Sequence, residues 1–215
     1  YMRQASFQDA IEEFGKEQLR SLDIRTFQVN LGLRCNLECR HCHHQAGPER
    51  TEMMSRETME LIIENAQKHA VEVIDITGGA PELHPNIEDF IREIASNGHH
   101  LMVRTNLSAL LENDNEPLIE LYRQNGVEII ASLPCYEKED VDCVRGEGDF
   151  NRSITALQLL NAAGYGVKPD LVLDLVYNPA GDFLPPPQNT LKEEYTRILW
   201  DDFGVQFTDL FTITN

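Results

Sequence analysis

The 215 residues carry 18 Lys and Arg against 36 Asp and Glu, a formal net charge of −18. An acidic excess of this size repels polyanions at long range, which argues against DNA, RNA and anionic membrane surfaces as partners and otherwise serves solubility. The length suits one full α/β core and leaves no room for a second large domain.

No apolar run approaches the roughly 20 residues of a bilayer span, and the first residues lack the apolar stretch of a secretory signal, so a cytoplasmic protein is expected. Five cysteines, an odd number with three clustered, do not resemble a disulfide framework and suit a reducing compartment.

In chain order, a polar amphipathic stretch over 7–19 predicts a helix, so that residues 1–25 form a helical extension ahead of the main fold. Strand-like runs then fall at 26–33, 71–77, 100–105, 127–133, 169–176 and 205–212. Helix-like segments fall between them at 55–69, with Ser55 as its N-cap, and at 86–97, 115–125, 151–163 and 188–203. Gly98, Gly126, Gly164 and Gly204 each stand where a helix should stop. Pro185, Pro186 and Pro187 stiffen the connector before the last helix. The chain stops just after its sixth strand, as expected of a minimal enzyme or of a truncated one.

Strands alternating with helices imply a parallel α/β sheet, because parallel neighbours need a crossover and the helix supplies it. Six such strands build either a flat doubly wound sheet or an open partial barrel, and periodicity does not choose. Both gather ligands at the carboxyl ends of the strands. The sequence puts its chemistry there. Cys35, Cys39 and Cys42 follow the first strand, the run from Gly78 to Glu82 follows the second, Asn106 the third, and Ser132 to Tyr136 the fourth.

Three thiolates in C-x3-C-x2-C spacing can hold three irons of a [4Fe–4S] cluster and leave the fourth open. Clusters that only carry electrons usually have four cysteine ligands, so an open iron points to a bound cofactor, S-adenosylmethionine (SAM). The competing reading is a structural Cys3His zinc site, since His41, His43 and His44 crowd the third cysteine. Spacing disfavours it, because no second C-x2-C pair follows.

These features resemble the radical SAM superfamily, whose C-x3-C-x2-C loop follows the first strand of a partial (β/α)6 barrel. The segments VNLGLRC (29–35), AGPERTE (46–52), DITGGAPEL (75–83), ASLPCY (131–136), DLVYNP (174–179) and TITN (212–215) are similar to the arsenosugar-biosynthesis radical SAM family. That likeness runs along nearly the whole chain. It implies a radical SAM partial barrel over 26–215, without the cysteine-rich C-terminal region of that family. The implied reaction moves the 5′-deoxyadenosyl group of SAM onto a trivalent dimethylarsenical, forming a carbon–arsenic bond. An electron donor such as a flavodoxin or ferredoxin would be the partner. The alternatives are hydrogen abstraction from a peptide or small molecule by another radical SAM enzyme, and a non-catalytic zinc-binding protein.

The resemblance also implies roles for single residues. Cys35, Cys39 and Cys42 would hold the cluster, and His41, just before the last cysteine, would pack on adenine. Gly78, Gly79, Ala80 and Glu82 match the loop that binds the methionine amino group, although the usual superfamily pattern has Glu directly after the two glycines, where this chain has Ala80. Asn106 and Ser132 would contact ribose or the methionine carboxylate, and Arg104 would either pair with that carboxylate or brace its strand. Cys135 is read from its position and not from the resemblance: it follows the fourth strand, so it would face the same mouth as the cluster, and its thiolate would hold the arsenical, trivalent arsenic being soft and thiophilic. Cys143 would pair with it or be incidental.

Overall fold

The computed structural model describes residues 23–112, 116–178 and 184–213, together with Phe7 and Ile11. The helix expected over 7–19 otherwise lies outside the described residues. In chain order the elements are β1 Thr26–Asn30, α1 Arg56–Lys68, β2 Val73–Thr77, α2 Ile87–Ser96, β3 His100–Thr105, α3 Glu116–Gln124 and β4 Glu128–Ser132. Then come α4 Lys138–Arg145, α5 Asp149–Ala163, β5 Leu173–Tyr177, α6 Gln188–Phe203 and β6 Asp209–Thr212.

All six strands are parallel and neighbours in sequence are neighbours in space, giving the order β1-β2-β3-β4-β5-β6. This order decides between the two architectures. A doubly wound sheet reverses its strand order at a switch point, whereas an unreversed order with crossovers of one hand puts every helix on the same face. The other face is left to curl into the interior of a partial barrel.

Strand alternation sorts side chains between those two faces. Val29, Ile74, Ile76, Leu101, Val103, Ile129, Ala131, Leu173, Leu175 and Leu210 point to the helices and form the core. Helix α2 shows how the other layer is built: Ile87, Phe90, Ile91 and Ile94 recur at helical spacing and all four are buried. Helix α1 starts where expected, with the Thr58 N–H donating to the Ser55 hydroxyl at 3.3 Å.

The opposite face is polar. Gln28 Nε2 donates to Asp75 at 2.9 Å, and Arg104 grips the same carboxylate through Nε and Nη2, both at 2.9 Å. Further round, His100 and Glu128 join at 2.9 Å and Asp174 is buried beside them. Among the described residues no helix is long and apolar enough to cross a membrane.

The structure departs from the expected elements at several points. Strand one ends at Asn30 instead of 33, because the 31–35 segment bonds to the returning chain: Leu33 N–H to Glu52, Met54 N–H to Leu31 and Cys35 N–H to Gly47. Strands five and six begin four residues later than expected, at Leu173 and Asp209. A helix absent from the sequence reading, α4, fills 138–145.

Candidate active site

The carboxyl ends of the strands surround a cavity of about 210 Å³ lined by Cys35, Cys39 and Cys42, by His41, His43 and His44, and by Gly78, Gly79, Asn106 and Ser132. Residues from four separate strand ends therefore meet at one mouth. Arg104, Arg145, Ile130, Val176, Asn178 and Ile213 complete its wall.

The loop bearing the cysteines is held by backbone pairing on both sides. Gly47 N–H donates to Leu33 at 3.1 Å, while Gly79 N–H and Ala80 N–H donate to Gly32 and Arg34, each at 2.9 Å. This close approach explains the glycine at position 79: a Cβ there would sit 2.3 Å from the Arg34 carbonyl oxygen. Gly32 is equally constrained, with φ of +141° and a Cβ position 2.3 Å from the Glu52 carbonyl oxygen. Turns from Cys42 N–H to Cys39 and from Gln45 N–H to Cys42 then fold the thiols round the cavity.

Asn106 holds the first cysteine. Its Nδ2 donates to Cys35 Sγ at 3.4 Å and to Asn36 Oδ1 at 2.8 Å, while its Oδ1 accepts from Ala109 N–H at 2.9 Å. Asn36 in turn donates to the Ser108 hydroxyl at 3.0 Å. Burial pushes the Cys35 thiol up and takes the Cys39 thiol to about 11, the latter opposed by the charge of Arg145. Deprotonating these sulfurs therefore needs a positive partner such as bound iron. His41 is held below the usual histidine range, by burial first and then by Arg145 and His43. The rings of His43 and His44 lie 3.9 Å apart.

Gly78, Gly79, Asn106 and Ser132 thus reach the mouth together with the three cysteines and His41. Ala80 and Glu82 do not line it. Ala80 packs behind Cys35 with Ala46 and Ala109. Glu82 is fully buried under the loop, bonded to Thr105, and its carboxyl is pushed up to about 7 by desolvation. Of the two roles expected for Arg104, the structure has it bracing Asp75 while also facing the cavity.

Cys135 stands apart. Its sulfur is turned into the start of α4, accepting from Glu137 N–H at 3.4 Å and meeting Asp140 at 3.5 Å, and it is not part of the cavity wall. Burial raises this thiol to about 11, so it stays protonated. Cys143 is exposed on α4, where Arg40 reaches it at 3.7 Å, and the two cysteines do not bond to each other.

The sequence reading missed Arg145. Only 2% of its side chain is exposed, and it ties the site together: Nη1 donates to the Asn106 carbonyl at 3.0 Å, and Nη2 to the Ser132 carbonyl at 2.8 Å and hydroxyl at 2.9 Å. The signal that would have found it is Val141 and Val144 at helical spacing just before Gly146, which marks a short helix ending on an arginine.

The donor set fits a cluster better than a single ion. Zinc draws each sulfur to about 2.3 Å, so its ligands must converge on a point. Among the described residues no three His, Cys, Asp or Glu side chains do so. All three cysteines line one cavity, which is the arrangement in which each thiolate would take its own iron of a cubane.

The pattern of the radical SAM superfamily matches residues 29–179. This chain belongs to that superfamily. Members use a [4Fe–4S] cluster and SAM. Similar curated proteins include the mycofactocin maturase MftC of Mycobacterium tuberculosis, 29% identical over 140 residues, which cover 65% of this chain and 35% of that protein. The antilisterial bacteriocin subtilosin biosynthesis protein AlbA of Bacillus subtilis is 28% identical over 136 residues, 63% of this chain and 30% of that one. The chain thus spans about a third of the length of these relatives.

Among solved structures, Streptococcus suis SuiB bound to its precursor peptide SuiA superposes with a TM-score of 0.68 at 14% identity, covering 95% of this chain and 42% of that one. The structure of anSMEcpe with bound AdoMet gives 0.61 at 15% identity, covering 89% of this chain and 51% of that one. At such identities these matches establish the fold, the radical SAM partial barrel.

Proposed function

We propose that this chain cleaves SAM reductively at a [4Fe–4S] cluster held by Cys35, Cys39 and Cys42. The observation that carries this reading is the meeting of the three thiols with Gly78 and Gly79 at one strand-end cavity. Cys35, Cys39 and Cys42 would hold the cluster, which, once reduced by an external low-potential donor, would supply the one electron that splits the S–C5′ bond of SAM into methionine and a 5′-deoxyadenosyl radical.

The chain's own residues orient and shield. The N–H groups of Gly79 and Ala80 are spent on the cysteine loop, which leaves the carbonyls of Gly78 and Gly79 for the methionine ammonium. The Ser132 hydroxyl accepts from Arg145 and keeps its own proton to donate to a ribose or carboxylate oxygen. His41 offers a flat, neutral face to adenine. Asn106, with both amide atoms engaged, acts by holding Cys35 in place. Ala80 and Glu82 support the loop from behind.

For the second substrate, we favour transfer of the deoxyadenosyl group to a trivalent dimethylarsenical. The support is the likeness of six segments, 29–35 through 212–215, to the arsenosugar-biosynthesis radical SAM family. The position of Cys135 outside the cavity wall lends no support to it as the arsenic ligand. A second reading, hydrogen abstraction from a peptide, is favoured by the relatives: a mycofactocin maturase, a bacteriocin biosynthesis protein, and SuiB with its precursor peptide.

Reconstituted protein given SAM, reductant and dimethylarsenite separates the two. A deoxyadenosyl dimethylarsenic adduct in the mass spectrum supports transfer, with Cys135→Ala turning over like the parent chain. Free 5′-deoxyadenosine without an adduct rejects transfer and favours the peptide reading.

A further inference from the structure

We propose that Arg145 is the built-in counter-charge of the cluster and its thiolates, a positioning residue that sets the reduction potential at which SAM cleavage starts. The inference rests on the cluster reading above and goes beyond it.

A guanidinium withdrawn from water needs an anion close by. Arg145 is buried to 98% of its side chain, yet its only ion-pair partner among the described residues is Asp149, at a long 3.4 Å. Its other contacts, the carbonyls of Asn106 and Ser132 and the Ser132 hydroxyl, are neutral. Among the described residues neither Nε nor Asp149 Oδ1 has a hydrogen-bond partner. The cation is therefore under-compensated as it stands.

What faces it is the cysteine loop. The Arg40 N–H, between Cys39 and His41, donates to the Val144 carbonyl at 3.0 Å, fastening the loop to the last turn of α4. Arg145 is the next residue and lines the same cavity as all three cysteines. Three thiolates and a cluster held there would supply the missing negative charge. A fixed cation beside an electron acceptor favours the form holding the extra electron, so Arg145 makes the cluster easier to reduce.

The test is an EPR-monitored redox titration of the reconstituted full chain, following the one-electron couple of the cluster with an external low-potential reductant. Arg145→Gln should move the midpoint to more negative potential, and Arg145→Lys should leave it near the parent value. Asp149→Asn, which removes the opposing charge, should move it the other way. Iron release to a chelator should be roughly tenfold faster in Arg145→Gln, from the loss of about 1.4 kcal/mol of attraction.

Coincident potentials in all four proteins would overturn the inference, as would shifts of the same sign in Arg145→Gln and Asp149→Asn, the mark of a merely structural role. An unmoved potential with weakened SAM binding in Arg145→Gln would also overturn it, assigning the guanidinium to the methionine carboxylate. A parent chain that takes up no iron and sulfide would instead reject the cluster reading itself.

Discussion

At position 79 a side chain has nowhere to go. The added methyl of Gly79→Ala would meet backbone, not a flexible side-chain tip, so the strand-end loop or the cysteine loop must move. Overpacking of this kind costs about 1–3 kcal/mol, and at this chain length that lowers Tm by roughly 5 °C. The expected outcome in a thermal melt is such a drop, together with poorer iron retention. An unchanged melt would mean that the loops do not touch as described.

Glu82 makes a second prediction at this scale. Its carboxyl, raised to about 7 by burial, keeps its proton in the folded chain at pH values where the unfolded chain has lost it. Stability therefore falls as pH rises from about 4.5 to 7 and is level above, by up to about 3 kcal/mol. Glu82→Gln has no such proton to lose. Denaturant titrations should find its stability advantage over the parent growing between pH 5 and pH 8; a constant difference would contradict the burial argument. The sequence placed Glu82 at the right loop, but not its depth. The pattern shows that Pro81 and Glu82 follow two glycines, whereas the turn that tucks this carboxyl under the loop depends on contacts with Thr105, distant in the chain.

Among the elements, the long periodic ones were legible and the short ones were not. Helix α2 announced itself by four apolar residues on one stripe, and α1 by its serine cap. Strand β1 was read three residues too long because 31–33 continues the apolar run, while its partner there is the 52–54 segment, a pairing no local pattern reveals. Helix α4 escaped because its eight residues are mostly charged and only Val141 and Val144 turn inward among its apolar positions. Yet it carries the buried arginine of the site.

The join between α4 and α5 is testable. Asp142 Oδ1 accepts the Phe150 N–H at 2.9 Å, capping the first turn of α5 from outside that helix. Asp142→Ala should cost about 1 kcal/mol in a urea titration. Because α4 is fastened to the cysteine loop, the same variant should release iron faster. Lost stability with unaltered iron release would show that α4 does not hold the loop.

For the whole molecule, alternation of strands and helices was enough to expect a parallel sheet, and the unreversed strand order then selects the partial barrel over the doubly wound alternative. The polar inner face was not legible, since Asp75, Arg104 and Gln28 read as ordinary strand residues until three strands bring them together. The three cysteines were readable from spacing alone, because one loop delivers all of them. Asn106 and Ser132 needed the barrel to bring their strand ends to that loop.

The most direct test of the account is anaerobic reconstitution of the parent chain with iron and sulfide, followed by dithionite and SAM. The account predicts a brown protein with about four irons and four sulfides that yields 5′-deoxyadenosine or its adduct, and loss of both colour and product in Cys35→Ser, Cys39→Ser and Cys42→Ser. A colourless chain holding stoichiometric zinc and leaving SAM intact would contradict it.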